Sequence, residues 1–300
     1  LVLTMVVSLI PSTLVTAFAA DAPSGGVDIT GAQTLTLNAD SDTAITAGGT
    51  YTVSGSSTHS IVIGADAADG AAATKVNVTL VLNGLKINSA TSPIQILGGS
   101  ELTLVLVDGT ENVLNCTKTG NAGEFDTSAG AGILCELGAK LTIDKARDAV
   151  GIGSLTVTGG YGGAGIGGGR FDSLYTADRA ATGGRSTRRY HLGYDSNDVQ
   201  GAGGQGGRHG TNAAQAGNVT INAGILTITG GNGGAGIGGG MGAAGEEGAV
   251  GQNGRTSYRI GEGAAGSWFG NGGGAGGTGG NGGRGGAGGD VTINGGTITV

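Results

Sequence analysis

A chain of 300 residues with a net charge of −7 carries no electrostatic footprint for nucleic acid, which is held mainly by neutralising phosphates. Seventy glycines beside three prolines exclude collagen, which needs proline, and 17 of the 70 precede residue 151. The first half therefore reads as an ordinary β-rich sequence, and the second as strands interrupted by glycine tracts.

The chain opens LVLTMVVSLIPSTLVTAFAADAP, an uncharged apolar run that ends in Ala17-Phe18-Ala19, the small-x-small pattern of a signal peptidase site. Residues 1–20 are expected to be a signal peptide with a truncated start. Its removal on export would leave no membrane span and a secreted or cell-surface protein. A retained anchor is the competing reading, and Pro11 and the polar chain that follows weigh against it.

From Val76 the chain reads VNVTLVLNGLKINSATSPIQILGGSELTLVLVDGTENVLNC, with apolar residues at every second position, the period of a strand. The rhythm returns at Leu141 and Ile143, at Leu155 and Val157, and at Ala164 and Ile166. It then repeats outright. LTITGGNGGAGIGGG at 226–240 copies LTVTGGYGGAGIGGG at 155–169, and GNVTINAG at 217–224 returns as GDVTINGG at 289–296, each about seventy residues on. The links are too short for helical crossovers and too regular for a sandwich, so the expected fold is all-β, a β-helix solenoid with long Gly-rich and Arg-rich insertions. Five coils can be counted from Val78, the last interrupted at Val300. Ile143, Ile221 and Ile293 should then stack in one interior row, Val157 and Ile228 in a second, and Ile133, Ile166 and Ile237 in a third.

The TLVLNGLKI run, the Pro93-Ile94-Gln95-Ile96 strand and the Asp108-Gly109-Thr110-Glu111-Asn112 turn resemble the carbohydrate-binding domain family of secreted clostridial proteins. The resemblance covers roughly residues 28–169 and implies a right-handed parallel β-helix that binds plant-type polysaccharide and calcium. The GGAGIGGG repeats look instead like those of Gram-positive surface proteins, which implies a Gram-positive source. The expected organisation is a carbohydrate-binding-like stack over 28–169, continuous with Gly-rich repeats over 170–300 that carry insertions at 170–216 and 241–288.

Calcium prefers several oxygen ligands, and the candidate metal residues are Asp66 with Asp69, Asp108 with Glu111, and Asp40 with Asp42; solvated turn carboxylates are the alternative. The glycine tracts lack the Asp of a calcium nonapeptide. No Gly-Lys-Ser or Gly-Lys-Thr follows them, so a phosphate loop is excluded. His59, His191 and His209 have no partner at metal spacing, and no Ser sits in a Gly-x-Ser-x-Gly elbow. Cys116 and Cys135 leave two readings open, a disulfide stapling the 117–129 loop or two small buried hydrophobes.

The insertions share GRSTRR at 184–189 and GRTSYR at 254–259, which align Arg185 with Arg255 and Arg189 with Arg259. With Tyr190, Tyr258 and Trp268 these arginines form a candidate ligand surface, since guanidinium forks and aromatic faces suit carboxylated polysaccharides and sugar rings. The competing reading is that they pack each loop onto its neighbour. Six Gly-Gly-x triplets at 273–290 suit either an extended polyproline-II strand or a flexible linker.

The expected function is a non-catalytic, polysaccharide-binding surface module. The rivals are a polysaccharide lyase or hydrolase, which would need clustered acids across successive coils, and a structural stalk or adhesin spacer. Against an enzyme, the Thr142, Thr220 and Thr292 row is neutral, and the acids of the first half read as out of repeat register. Ice binding through Thr156-Val157-Thr158 and Thr227-Ile228-Thr229 is a further, weaker alternative.

Overall fold

The computed structural model describes residues 25–65, 73–97, 99–119, 130–169, 213, 215–242, 278, 281 and 283–300, with the backbone of strands at 16–18, 175–179, 208–210, 257–260 and 267–270. The chain divides into two compact units. One comprises Leu1–Asp172, Asn212–Gly242 and Arg284–Val300, the other Ser173–Thr211 and Ala243–Gly283.

The first unit is all-β, a curled and mostly parallel sheet facing a six-stranded parallel one, and the described residues contain no helix. None is therefore long and apolar enough to cross a membrane. The strands fall into three columns. In the first, Gly49–Ser57, Asn77–Ser89, Glu101–Leu106, Lys140–Lys145, Asn218–Ile221 and Val291–Ile293 pair in that order. The second runs from the end of Gly49–Ser57 through the far half of the long Asn77–Ser89 strand to Glu111–Cys116, Ser154–Thr158, Ile225–Thr229 and Thr297–Thr299. The third runs Thr43–Ile45, Ile61–Ile63, Ile94–Ile96, Ile133–Cys135, Ile166–Gly167 and Ile237–Gly238. Each circuit of the chain adds one strand to every column, which is why all these neighbours are parallel. The last strand of the second column also pairs antiparallel with Thr16–Phe18.

The expected interior rows hold residue for residue. Ile143, Ile221 and Ile293 are register partners, as are Val157 and Ile228, and Ile133, Ile166 and Ile237. Leu80 and Leu104 extend the first row toward the N-terminus, and Ile87 and Leu114 the second. These side chains form one cluster, fully or nearly fully buried through most of the stack, with Ile237 and Ile293 partly exposed at its C-terminal end. Two layers precede the five coils counted from Val78, Gln33–Thr34 with Thr43–Ile45 and Gly49–Ser57 with Ile61–Ile63.

The repeated Gly-Ala-Gly-Ile is explained by what each residue meets. A methyl group on Gly163 would strike the Gly130 carbonyl oxygen, and one on Gly234 the Gly163 carbonyl, so backbone stacks directly on backbone at the first glycine. Ala131 and Ala164 are fully buried. At the second glycine a methyl on Gly165 would come within 2.6 Å of Ile228 Cγ2, and Gly132 and Gly236 stand in the same relation to Val157 and Val300. Glycine there leaves room for a β-branched side chain of the second column one layer on, which ties the motif to the corresponding strand of the next coil.

Polar ladders follow the same register. Asn222 donates to Asp144 Oδ2 at 2.9 Å, and Asn294 donates to Asn222 Oδ1 at 2.9 Å. Asp144 is thus an acid in repeat register, which corrects the expectation that the first-half acids lie outside it. Glu101 is another; it pairs in register with Lys140 and forms an exposed ion pair with it at 2.7 Å. The Thr142, Thr220 and Thr292 row does hold, and it extends through Thr103 and Thr79 to Thr50.

Asn112 is the polar exception in an apolar row, being only 1% exposed and level with Leu155, Leu226 and Ile298. Its Oδ1 accepts from Leu85 N at 2.9 Å, and its Nδ2 donates to Thr110 Oγ1 at 3.3 Å and Ser154 O at 3.1 Å. It takes over where Asn77–Ser89 bends from one column to the next. Asn112→Ala would orphan the Leu85 N–H in the interior and is expected to cost about 1–3 kcal/mol, read as a lowered midpoint in urea at unchanged slope.

Of the glycine triplets, the described end at 283–290 is held by backbone bonds. Gly286 N donates to Gly240 O at 2.9 Å, while Arg284 O and Ala287 O each accept at 2.9 Å from Ala213 N and Ala216 N. This segment of the tract is docked backbone.

The second unit contains two antiparallel ribbons. Tyr175–Arg179 pairs with Arg208–Gly210, and Ser257–Ile260 with Ser267–Gly270.

Candidate functional site

The residues singled out in the sequence fall in three groups. Arg185, Arg189, Tyr190 and Arg255, like Asp66 and Asp69, lie outside the described residues. Tyr258, Arg259 and Trp268 are described by backbone only, in the Ser257–Ile260 and Ser267–Gly270 ribbon, where Arg259 is the register partner of Trp268 and Tyr258 of Phe269. In the first insertion the described ribbon strands are Tyr175–Arg179 and Arg208–Gly210, and the GRSTRR segment at 184–189 lies outside the described residues.

Asp108 and Glu111 lie at the turn that leads into the second column. One Asp108 oxygen accepts from Gly151 N at 2.7 Å, pinning this turn to the corresponding turn of the next layer. Glu111 is the register partner of Ser154. Among the described residues no three His, Cys, Asp or Glu side chains gather as a metal site.

Cys116 and Cys135 are free and buried, one ending a second-column strand and the other a third-column strand. In this structure they fill the stack as small hydrophobes. Burial pushes the Cys135 thiol up to about 12, against a smaller opposing effect of the Gly217 N–H. The folded state thus disfavours the thiolate. The resulting stabilisation is intact below the ordinary thiol pKa of 9.0 and lost as pH rises toward 12.

One groove stands out in the first unit. It is shallow and open to solvent, with a volume of about 480 Å³, and lies where the second column turns toward the third, between the end of Glu111–Cys116 and the glycine turns of the two repeats. It is lined by Asn115, Cys116, Thr117, Lys118, Thr119, Thr158, Tyr161 and Asn232, with Gly159 and Gly231. Its frame is hydrogen-bonded throughout: Tyr161 N donates to Lys118 O, Gly162 N to Asn232 O and Gly160 N to Gly130 O, each at 3.0 Å. Among the described residues no carboxylate lines it. Tyr161 and Asn232 occupy the same place in the two repeat copies. This Tyr-for-Asn exchange is the one non-conservative difference between them, and it was the available signal for the groove.

The comparisons bear on the same layers. No curated protein and no solved structure matches the chain. Residues 39–171 match the model of a family described as carbohydrate-binding domain-containing protein, a span that takes in the layers from Thr43–Ile45 through Ile166–Gly167 and therefore most of the groove, Tyr161 included.

Proposed function

We propose that this chain is an exported, non-catalytic polysaccharide-binding module built as a right-handed parallel β-helix. The observation that carries the reading is the match of residues 39–171 to a carbohydrate-binding domain family, falling on stacked in-register layers. The three parallel columns and their single core support the coil architecture. The uncharged apolar start with its Ala17-Phe18-Ala19 end supports export, to the medium or the surface of a Gram-positive cell.

Within this reading the two insertions present the polymer-binding surface through Arg185, Arg189, Tyr190, Arg255, Tyr258, Arg259 and Trp268. The backbone register that makes Arg259 and Trp268 strand partners supports it, because guanidinium and aromatic residue types suit a uronate ring. A pull-down on polygalacturonate and on a neutral glucan, at low and high salt, tests the assignment. Arg255→Ala with Trp268→Ala is expected to abolish retention on polygalacturonate, and wild-type retention is expected to fall as salt rises. Unchanged retention by the double variant would move the site to the matched layers. A second arm with and without added calcium tests whether Asp108 and Glu111 contribute.

A further inference from the structure

The groove at Tyr161 is lined by residues other than those of the Arg-rich insertions, and its chemistry differs. Its lining is neutral apart from Lys118, and it offers amides, hydroxyls and one aromatic ring. It also does not end at its rim. Asn115 and Thr158 belong to a row that continues to Asn88 on one side and Thr229 on the other, one polar side chain per layer. Asn88 and Thr229 are exposed, while Asn115 and Thr158 are half-buried. Asn115 Nδ2 donates to Asn88 Oδ1 at 3.2 Å, which orients both amides. The layers repeat at about 4.8 Å, so the row is a rigid track of donors and acceptors leading into a concave end that contains an aromatic face.

We propose that this track and groove form a second glycan site, which takes a neutral polysaccharide chain with one sugar ring on Tyr161 and its hydroxyls on Asn115, Thr158 and Asn232. A ring's apolar face fits an aromatic side chain, and its hydroxyls fit amides fixed in register. With no carboxylate and one ammonium among the described lining residues, hydrogen bonding and stacking carry the affinity. Binding here is therefore nearly independent of salt, unlike that expected of the arginines. The inference rests on the polysaccharide-binding reading, and its test separates the two.

The full chain is applied to immobilised neutral glucan, xylan, mannan and galactan, and to polygalacturonate. The affinity for the best neutral polymer is then measured for wild type and variants. Tyr161→Asn installs the residue that the sister repeat uses at this place, so the fold should be retained. It is expected to weaken binding about tenfold, while Tyr161→Phe, which keeps the ring, binds like wild type. Should Tyr161→Asn fail to fold, Asn232→Ala, at an exposed position of the groove, reads the same site. Neutral-glycan binding that is unchanged in Tyr161→Asn and Asn232→Ala would overturn the groove and leave the polysaccharide reading standing. Binding of polygalacturonate alone would do the same, and so would neutral-glycan binding that falls steeply with salt. Retention on none of the polymers would overturn both.

Discussion

Ile228→Asp is expected to unfold or nearly unfold the stack. Ile228 is 1% exposed, lies in register with Val157, and fills the space that Gly165 leaves in the third column. Removing an aliphatic side chain of this size from a packed interior costs about 2–5 kcal/mol. Placing a carboxylate there without a partner adds several kcal/mol, or forces the group to remain protonated. Against a typical domain stability of about 5–15 kcal/mol the total is decisive. Urea denaturation followed by circular dichroism should show no folded baseline, or a greatly lowered midpoint. Ile228→Val, which keeps the β-branch, should cost only about 0.5–1.5 kcal/mol. Wild-type stability in the Asp variant would show that Ile228 does not face the interior.

The second large effect is expected at Gly167, and its size should differ from that at the equivalent Gly238. Both have positive φ, 131° and 139°, so any side chain strains the backbone at each. Their surroundings differ. A Cβ on Gly167 would collide with the Gly238 carbonyl oxygen of the next layer, whereas one on Gly238 would meet Ala235 Cβ at 3.5 Å and Gly288 Cα at 3.9 Å, ordinary contact distances. Gly167→Val must therefore push adjacent layers apart as well as strain the turn. Gly238→Val carries the strain alone, about 1–3 kcal/mol. Thermal melts of the two variants should place Gly167→Val clearly lower. Equal melting temperatures would mean that layer-to-layer backbone contact is not what fixes glycine in the repeat. Gly279, in the triplet tract, lies outside the described residues.

The interior rows were legible in the sequence because each is written twice. Period-two alternation assigns Ile143 and Ile221 to one face, and the copied VTIN and LTIT segments set the register between layers. The two layers before Val78 were not legible in the alternation, since Gly49–Ser57 is rich in Thr and Ser on both faces with exposed and half-buried positions along most of its length, and Gln33–Thr34 is exposed at both positions. Asp144 escaped notice because only the pairing of Lys140–Lys145 with Asn218–Ile221 brings it level with Asn222 and Asn294. The groove combines residues from three separate turns, near 117, 161 and 232, and no local pattern announces such a convergence. Only Tyr161, standing where the other copy has Asn, marked it. The insertion arginines were legible as a repeated motif, of which the 257–259 end of the second copy falls in a described strand.

Retention without cleavage is the property that separates a binding module from the lyases and hydrolases that coil architectures also support. The most direct measurement incubates the full chain with polygalacturonate and with the neutral polymer it retains best, and reads bound protein and polymer length on the same samples. The account predicts bound protein, no new reducing ends, no absorbance from unsaturated products, and an unchanged polymer length. Shortening of the polymer by wild type would contradict it, and so would failure to retain the protein on either polymer.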